Sequence, residues 1–94
     1  MSITMHAEAF QPATAIMSAE EMYRLGLEAS VGGDDLGFDL ITAHKWFNLA
    51  AMMGNVEARV YRAELSAEMT QEEIAEAQRQ AREYLSTHRP RAAN

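Results

Sequence analysis

Cysteine is absent from this 94-residue chain, which removes disulfides, thiolate nucleophiles and cysteine metal ligands together. Proline occurs only twice, at Pro12 and Pro90, so no break is imposed between them. β-branched residues are few and no stretch alternates apolar and polar residues for long, so the sequence gives no strand signal. No apolar run approaches the roughly 18 residues of a membrane span. The first residues, M-S-I-T-M-H-A-E-A-F, lack a basic start and a long apolar segment, so a secretory signal is not expected and a cytoplasmic location is. Basic residues are nearly missing from the first half: residues 1–40 hold seven acids and only Arg24, whereas residues 41–94 balance seven acids with seven bases. An acidic first half repels nucleic acid and anionic membranes, and neither is expected as a partner.

What the chain does have is helical periodicity. The central stretch, A-H-K-W-F-N-L-A-A-M-M-G over 43–54, places Ala43, Phe47, Ala50, Ala51 and Gly54 on one side of a helix, with Trp46, Leu49 and Met53 beside them. The apolar surface covers roughly half the circumference, so neighbours must cover this helix on two sides. Ser18 followed by Glu21 is a capping box that opens an earlier helix, whose face carries Met22, Leu25, Gly26 and Ala29. Gly26 in mid-helix costs about 1 kcal/mol relative to alanine, and close approach of a neighbour is the expected return.

The segment V-G-G-D-D-L-G-F-D over 31–39 reads as a loop. Leu36 and Phe38 are expected to plug it to the core, and Asp39 to cap the helix over 40–53. Its aspartates lack the alternation of a calcium loop, so no metal is expected. Gly54 and Asn55 stop that helix and cap the next, over 56–68, which is read as burying Ala58, Tyr61 and Leu65. Thr70 and Glu73 form a second capping box. The helix behind it runs to about residue 86 with Ile74, Ala77, Ala81 and Leu85 inward and its arginines toward its negative end. The expected core is therefore Met22, Leu25, Gly26, Ala43, Trp46, Phe47, Ala50, Ala51, Gly54, Ala58, Tyr61, Leu65, Ile74, Ala77, Ala81 and Leu85. The domain is expected over 18–87, with a tail or short helix over 1–17 and a frayed end over 88–94. The fold class is all-α, with about four helices.

No catalytic constellation stands out. His6, His44 and His88 are far apart in sequence, and His44 reads as solvated beside Lys45. Glu20–Glu21 and Glu72–Glu73 each open a helix, so capping explains them better than acid–base work. Phosphate loops and nucleophile elbows are missing.

Leu25–Gly26, the turn Gly32–Gly33, Asp39 and then A-H-K-W-F-N-L-A-A-M-M-G-N-V-E-A resemble a Sel-one-like repeat, one of the tetratricopeptide-like helical repeats. The likeness covers about 18–54, with Ala58 similar to the opening of a following unit. The stretch M-T-Q-E-E-I-A-E-A-Q-R-Q-A-R-E-Y-L is similar to the closing helix of bacterial members. The resemblance implies a right-handed α/α superhelix, in which a helical hairpin and C-terminal capping helices form an adaptor that binds another protein or a peptide. No catalytic activity and no cofactor are implied. Tyr23, Arg24 and Leu27 would line the inner side, extended by Arg59 and Arg62. About three such units normally share a core, so a homodimer is the alternative reading, with Ile41 and Met52 as its exposed contact face.

Overall fold

The local signals for each helix start are used as read. In the computed structural model, which describes residues 16–31 and 39–88, the chain forms α1 (Ala19–Val31), α2 (Leu40–Met52), α3 (Val56–Glu68) and α4 (Gln71–Thr87). The described residues form four helices and contain no strand, so the fold is all-α. Ser18 Oγ accepts from the Glu21 N–H while Glu21 Oε1 accepts from the Ser18 N–H, at 3.1 and 3.2 Å. Thr70 and Glu73 repeat that exchange at 3.0 and 2.9 Å. Asp39 accepts from the Thr42 N–H at 3.0 Å, and Asn55 from the Ala58 N–H at 2.8 Å. Each cap satisfies donors that a helix start leaves without an intrahelical partner.

The α2–α3 corner is made by two consecutive residues. Gly54 sits at φ +102°, and its N–H donates to the Ala51 carbonyl while the Asn55 N–H donates to the Ala50 carbonyl, both at 3.0 Å. This is a Schellman closure, and Asn55 then turns directly to capping α3.

α2 is the hub, touching all three other helices. It runs antiparallel to α1: Phe47 lies against Gly26 and Tyr23, whereas at the other end of the pair the Asp39 N–H reaches the Ala29 carbonyl at 3.2 Å. It runs antiparallel to α3 as well, since His44 meets Ser66 and Asn48 meets Arg62. On a further side Trp46 packs edge-on to Tyr84 of α4, centroids 5.4 Å apart. The buried core comprises Met22, Ala43, Phe47, Leu49, Ala50, Ala58, Ala81 and Tyr84.

Several expected core positions differ. Gly54 is exposed, because its role is the positive φ of the corner. Tyr61 is 38 % exposed, lying at the rim rather than inside. Leu25, Trp46, Ala51, Leu65, Ile74 and Leu85 are half-buried. His44, read as solvated, is only 2 % exposed, because α3 covers that flank of α2. Met53 is exposed along with Met52. On α4 the buried stripe is Ala77, Ala81 and Tyr84, one residue round from the expected Leu85. No base stands in its last turn; Arg79 instead pairs with Glu76 at 2.7 Å and Glu83 at 3.5 Å.

Ile16 and Met17, at the end of the segment read as a tail, pack on the core, and the Met17 N–H donates to the Tyr84 hydroxyl at 3.0 Å. The expectations for residues 1–15, for the loop plugs Leu36 and Phe38, and for the end beyond His88 lie outside the described residues. Among the described residues, no helix is long and apolar enough to cross a membrane.

Candidate protein-binding surface

Three aromatic rings from three helices meet where α1, α2 and α3 converge. The Phe47 ring is fully buried on α2. Gly26 makes this possible, since a Cβ there would stand 2.6 Å from Phe47 Cε1 and 2.7 Å from Cδ1. Tyr61 stacks on Phe47 from α3, with centroids 5.2 Å apart and planes 16° apart. Tyr23 of α1 tilts against both, at 5.9 Å from Phe47 and 6.0 Å from Tyr61. Such offset and tilted pairs contribute about 0.5–1.5 kcal/mol each beyond their burial. They hold Tyr61 in place although much of it faces solvent. Burial pushes the Tyr23 hydroxyl above its usual range, with Tyr61 and Glu57 acting in the same direction, so it stays protonated and able to donate.

Tyr23 and Leu27 are neighbours four residues apart on α1 and both are half-buried. Exposed Arg24 lies next to them and, among the described residues, makes only a loose surface pair with Glu28 at 3.5 Å. The other candidates are not gathered here. Arg62 is turned to α2, where its Nη1 donates to Asn48 Oδ1 at 2.7 Å. Arg59 lies on the outer side of α3, beside Val56 and Val60. Ile41 is half-buried and Met52 59 % exposed; eleven residues separate them, about 16 Å along the helix, with Lys45 between, so they form no continuous patch.

One titratable group, His44, is buried beside a hydroxyl. His44 Nε2 and Ser66 Oγ are 2.9 Å apart, the spacing of a hydroxyl and its general base. Yet among the described residues His44 Nδ1 is buried with no hydrogen-bond partner, so none of their carboxylates orients the ring. Burial lowers the His44 pKa from 6.5, and the Arg62 charge lowers it further, so the imidazole is neutral. The pair ties α2 to α3. Among the described residues no group of three His, Asp or Glu side chains is placed to hold a metal. A polar groove between α2 and α4 includes Lys45, Glu83 and His88; there the Lys45 ammonium sits over the Trp46 ring at 4.4 Å, its pKa lowered by desolvation.

Sequence reading missed Tyr61 as a surface residue because its period places it correctly toward α2 while its exposure depends on how far α1 reaches. Compared with protein-family models, curated proteins and solved structures, the chain matches none.

Proposed function

We propose that this chain is a small, non-catalytic protein-interaction module of the Sel-one-like repeat type, an adaptor that takes a peptide or a protein partner against Tyr23, Tyr61, Leu27 and Arg24. The observation that carries this reading is Tyr61: 38 % exposed, yet clamped in orientation by the buried Phe47 ring and by Tyr23. An aromatic side chain that is already immobilised loses little entropy when a partner covers it, and tyrosine and arginine dominate binding hot spots. The antiparallel α1–α2 pair, closed at Gly26, supports the repeat assignment. So does the contact between Tyr23 of α1 and Tyr61 of α3, the first helix of the full unit and the opening helix of the next.

The test is capture from a native cell extract by the immobilised chain, beside Tyr23→Ala/Arg24→Ala. The double variant is expected to lose the captured protein while keeping its helical circular dichroism. Arg24→Glu alone, at an exposed position, is expected to weaken capture with an unchanged melting temperature. Capture undiminished in both variants rejects this surface.

A further inference from the structure

Helix α3 has two apolar faces, and among the described residues only one of them is covered. Ala58 is buried and Leu65 half-buried against α2. The opposite side carries Val56 at 67 % and Val60 at 55 % exposure, with Ala63 and Ala67 exposed as well. The spacings of four, three and four residues are those of a heptad seam: Val60 and Ala67 at a, Val56 and Ala63 at d. Arg59 then falls at g and Glu64 at e, flanking the seam on opposite sides. Neither has an ion-pair partner among the described residues of its own chain.

We propose that this face of α3 is a self-association surface, occupied by the α3 of a second copy lying parallel to it about a two-fold axis along the helices. Charge complementarity selects both the occupant and the direction. In a parallel pair each g residue faces the e residue five positions on in the other helix, so Arg59 of each copy meets Glu64 of the other, twice by symmetry. An antiparallel pair with the same four layers facing would bring g beside g and e beside e. Arg59 would then meet Ser66 and Glu64 would meet Glu57, which loses both ion pairs and sets like charges together. A valine at a favours two strands, and the alanine layers allow the backbones to approach. Thirteen residues are too few for a coiled coil that must also fold its helices, but α3 is already ordered by α2. Four core positions bury less than a standard interface, so the dimer is weak, with Kd in the range of about 10 µM to 1 mM.

The experiment is sedimentation equilibrium of the full chain from about 10 µM to about 1 mM. The weight-average mass of the wild type is expected to rise with concentration across that range, from near one chain toward two. Val60→Asp, at an exposed site where folding is retained, is expected to weaken dimerisation at least about ten-fold. Arg59→Glu and Glu64→Arg should each weaken it about ten-fold alone and restore it when mixed, because each mixed pair then joins opposite charges. Direction is read with Ala67→Cys, the sole cysteine of that variant. A parallel pair sets the residue against itself and oxidation links the dimer, whereas an antiparallel pair leaves the two positions roughly 16 Å apart, beyond disulfide reach. A single-chain mass throughout, a dimer indifferent to Val60→Asp, a dimer abolished by Met52→Asp instead, or no cross-link at Ala67→Cys each overturns the proposal. Val60 lies away from Tyr23, so partner capture in Val60→Asp remains a separate readout for the adaptor surface.

Discussion

Replacing Gly26 by alanine sets two effects of known sign against each other. Alanine is the better helix former by about 1 kcal/mol, and by propensity alone Gly26→Ala should raise stability. The added Cβ, however, would stand 2.6, 2.7 and 3.0 Å from three carbons of the Phe47 ring. Carbon atoms settle at about 3.5–4.0 Å, so the ring or helix must retreat by roughly 1 Å. The ring has little room: it is fully buried, stacked by Tyr61 on one face and met by Tyr23 at 5.9 Å. Overpacking of this kind costs about 1–3 kcal/mol and occasionally more. With three ring carbons at or inside 3.0 Å the cost lies in the upper part of that range, about 2–3 kcal/mol. Net of propensity, Gly26→Ala should therefore destabilise by about 1–2 kcal/mol, which lowers the melting temperature by about 5–15 °C for a domain of this size. Thermal and urea melts followed by far-UV circular dichroism would measure it. The mechanism has its own control in Phe47→Leu, which shortens the side chain that the methyl meets. There, Gly26→Ala should be nearly neutral or stabilising, a coupling of about 1 kcal/mol or more between the two sites. A melting temperature that is unchanged or raised in the wild-type background refutes the steric account.

Two further perturbations have clear signs. Gly54 presents the opposite case, with open space around the missing Cβ but φ at +102°, so Gly54→Ala should cost about 1–2 kcal/mol through the backbone alone, Gly54→Asn less, and Phe47→Leu should not rescue either in the same melts. His44 has its folded pKa below the ordinary 6.5, so the unfolded chain binds its proton first as pH falls; stability is full above about pH 6.5 and declines below it, by at most about 1.4 kcal/mol per pH unit. That slope, read from melts between about pH 8 and about pH 5, should largely vanish in His44→Gln, and a profile identical to wild type would show that His44 does not carry it.

What the sequence disclosed and what it hid divide by range. Helix starts were legible because a cap needs only a side chain and a backbone N–H three residues apart, as at Ser18–Glu21, Asp39–Thr42 and Thr70–Glu73. The Gly26 approach was legible too, since a glycine in a periodic helix must be repaid by a neighbour. His44 was not, because its side of α2 reads as polar until Ser66 and Arg62 arrive from a helix about twenty residues on. Tyr84 was missed by one position: Leu85 is the more apolar choice, but the Tyr84 ring can pack on Trp46 while its hydroxyl meets the Met17 N–H. The surface role of Tyr61 needed the relative reach of α1 and α3, which no local period encodes.

These long-range contacts connect stability to the surface. Phe47 is at once the ring that excludes a side chain at Gly26 and the platform on which Tyr61 lies. A substitution that pushes Phe47 away from α1 pushes it toward α3, and Tyr61 must tilt or slide with it. Gly26→Ala should therefore disturb the Tyr23–Tyr61 pair even in the fraction of molecules that remain folded, although Gly26 itself is buried. Gly54→Ala strains the corner without reaching Phe47, so at equal loss of stability it should leave the Tyr23–Tyr61 geometry, and with it any capture through the proposed surface, nearly intact. A comparison of the two glycine variants at matched folded fraction separates a surface set by Phe47 from one that merely needs a folded chain.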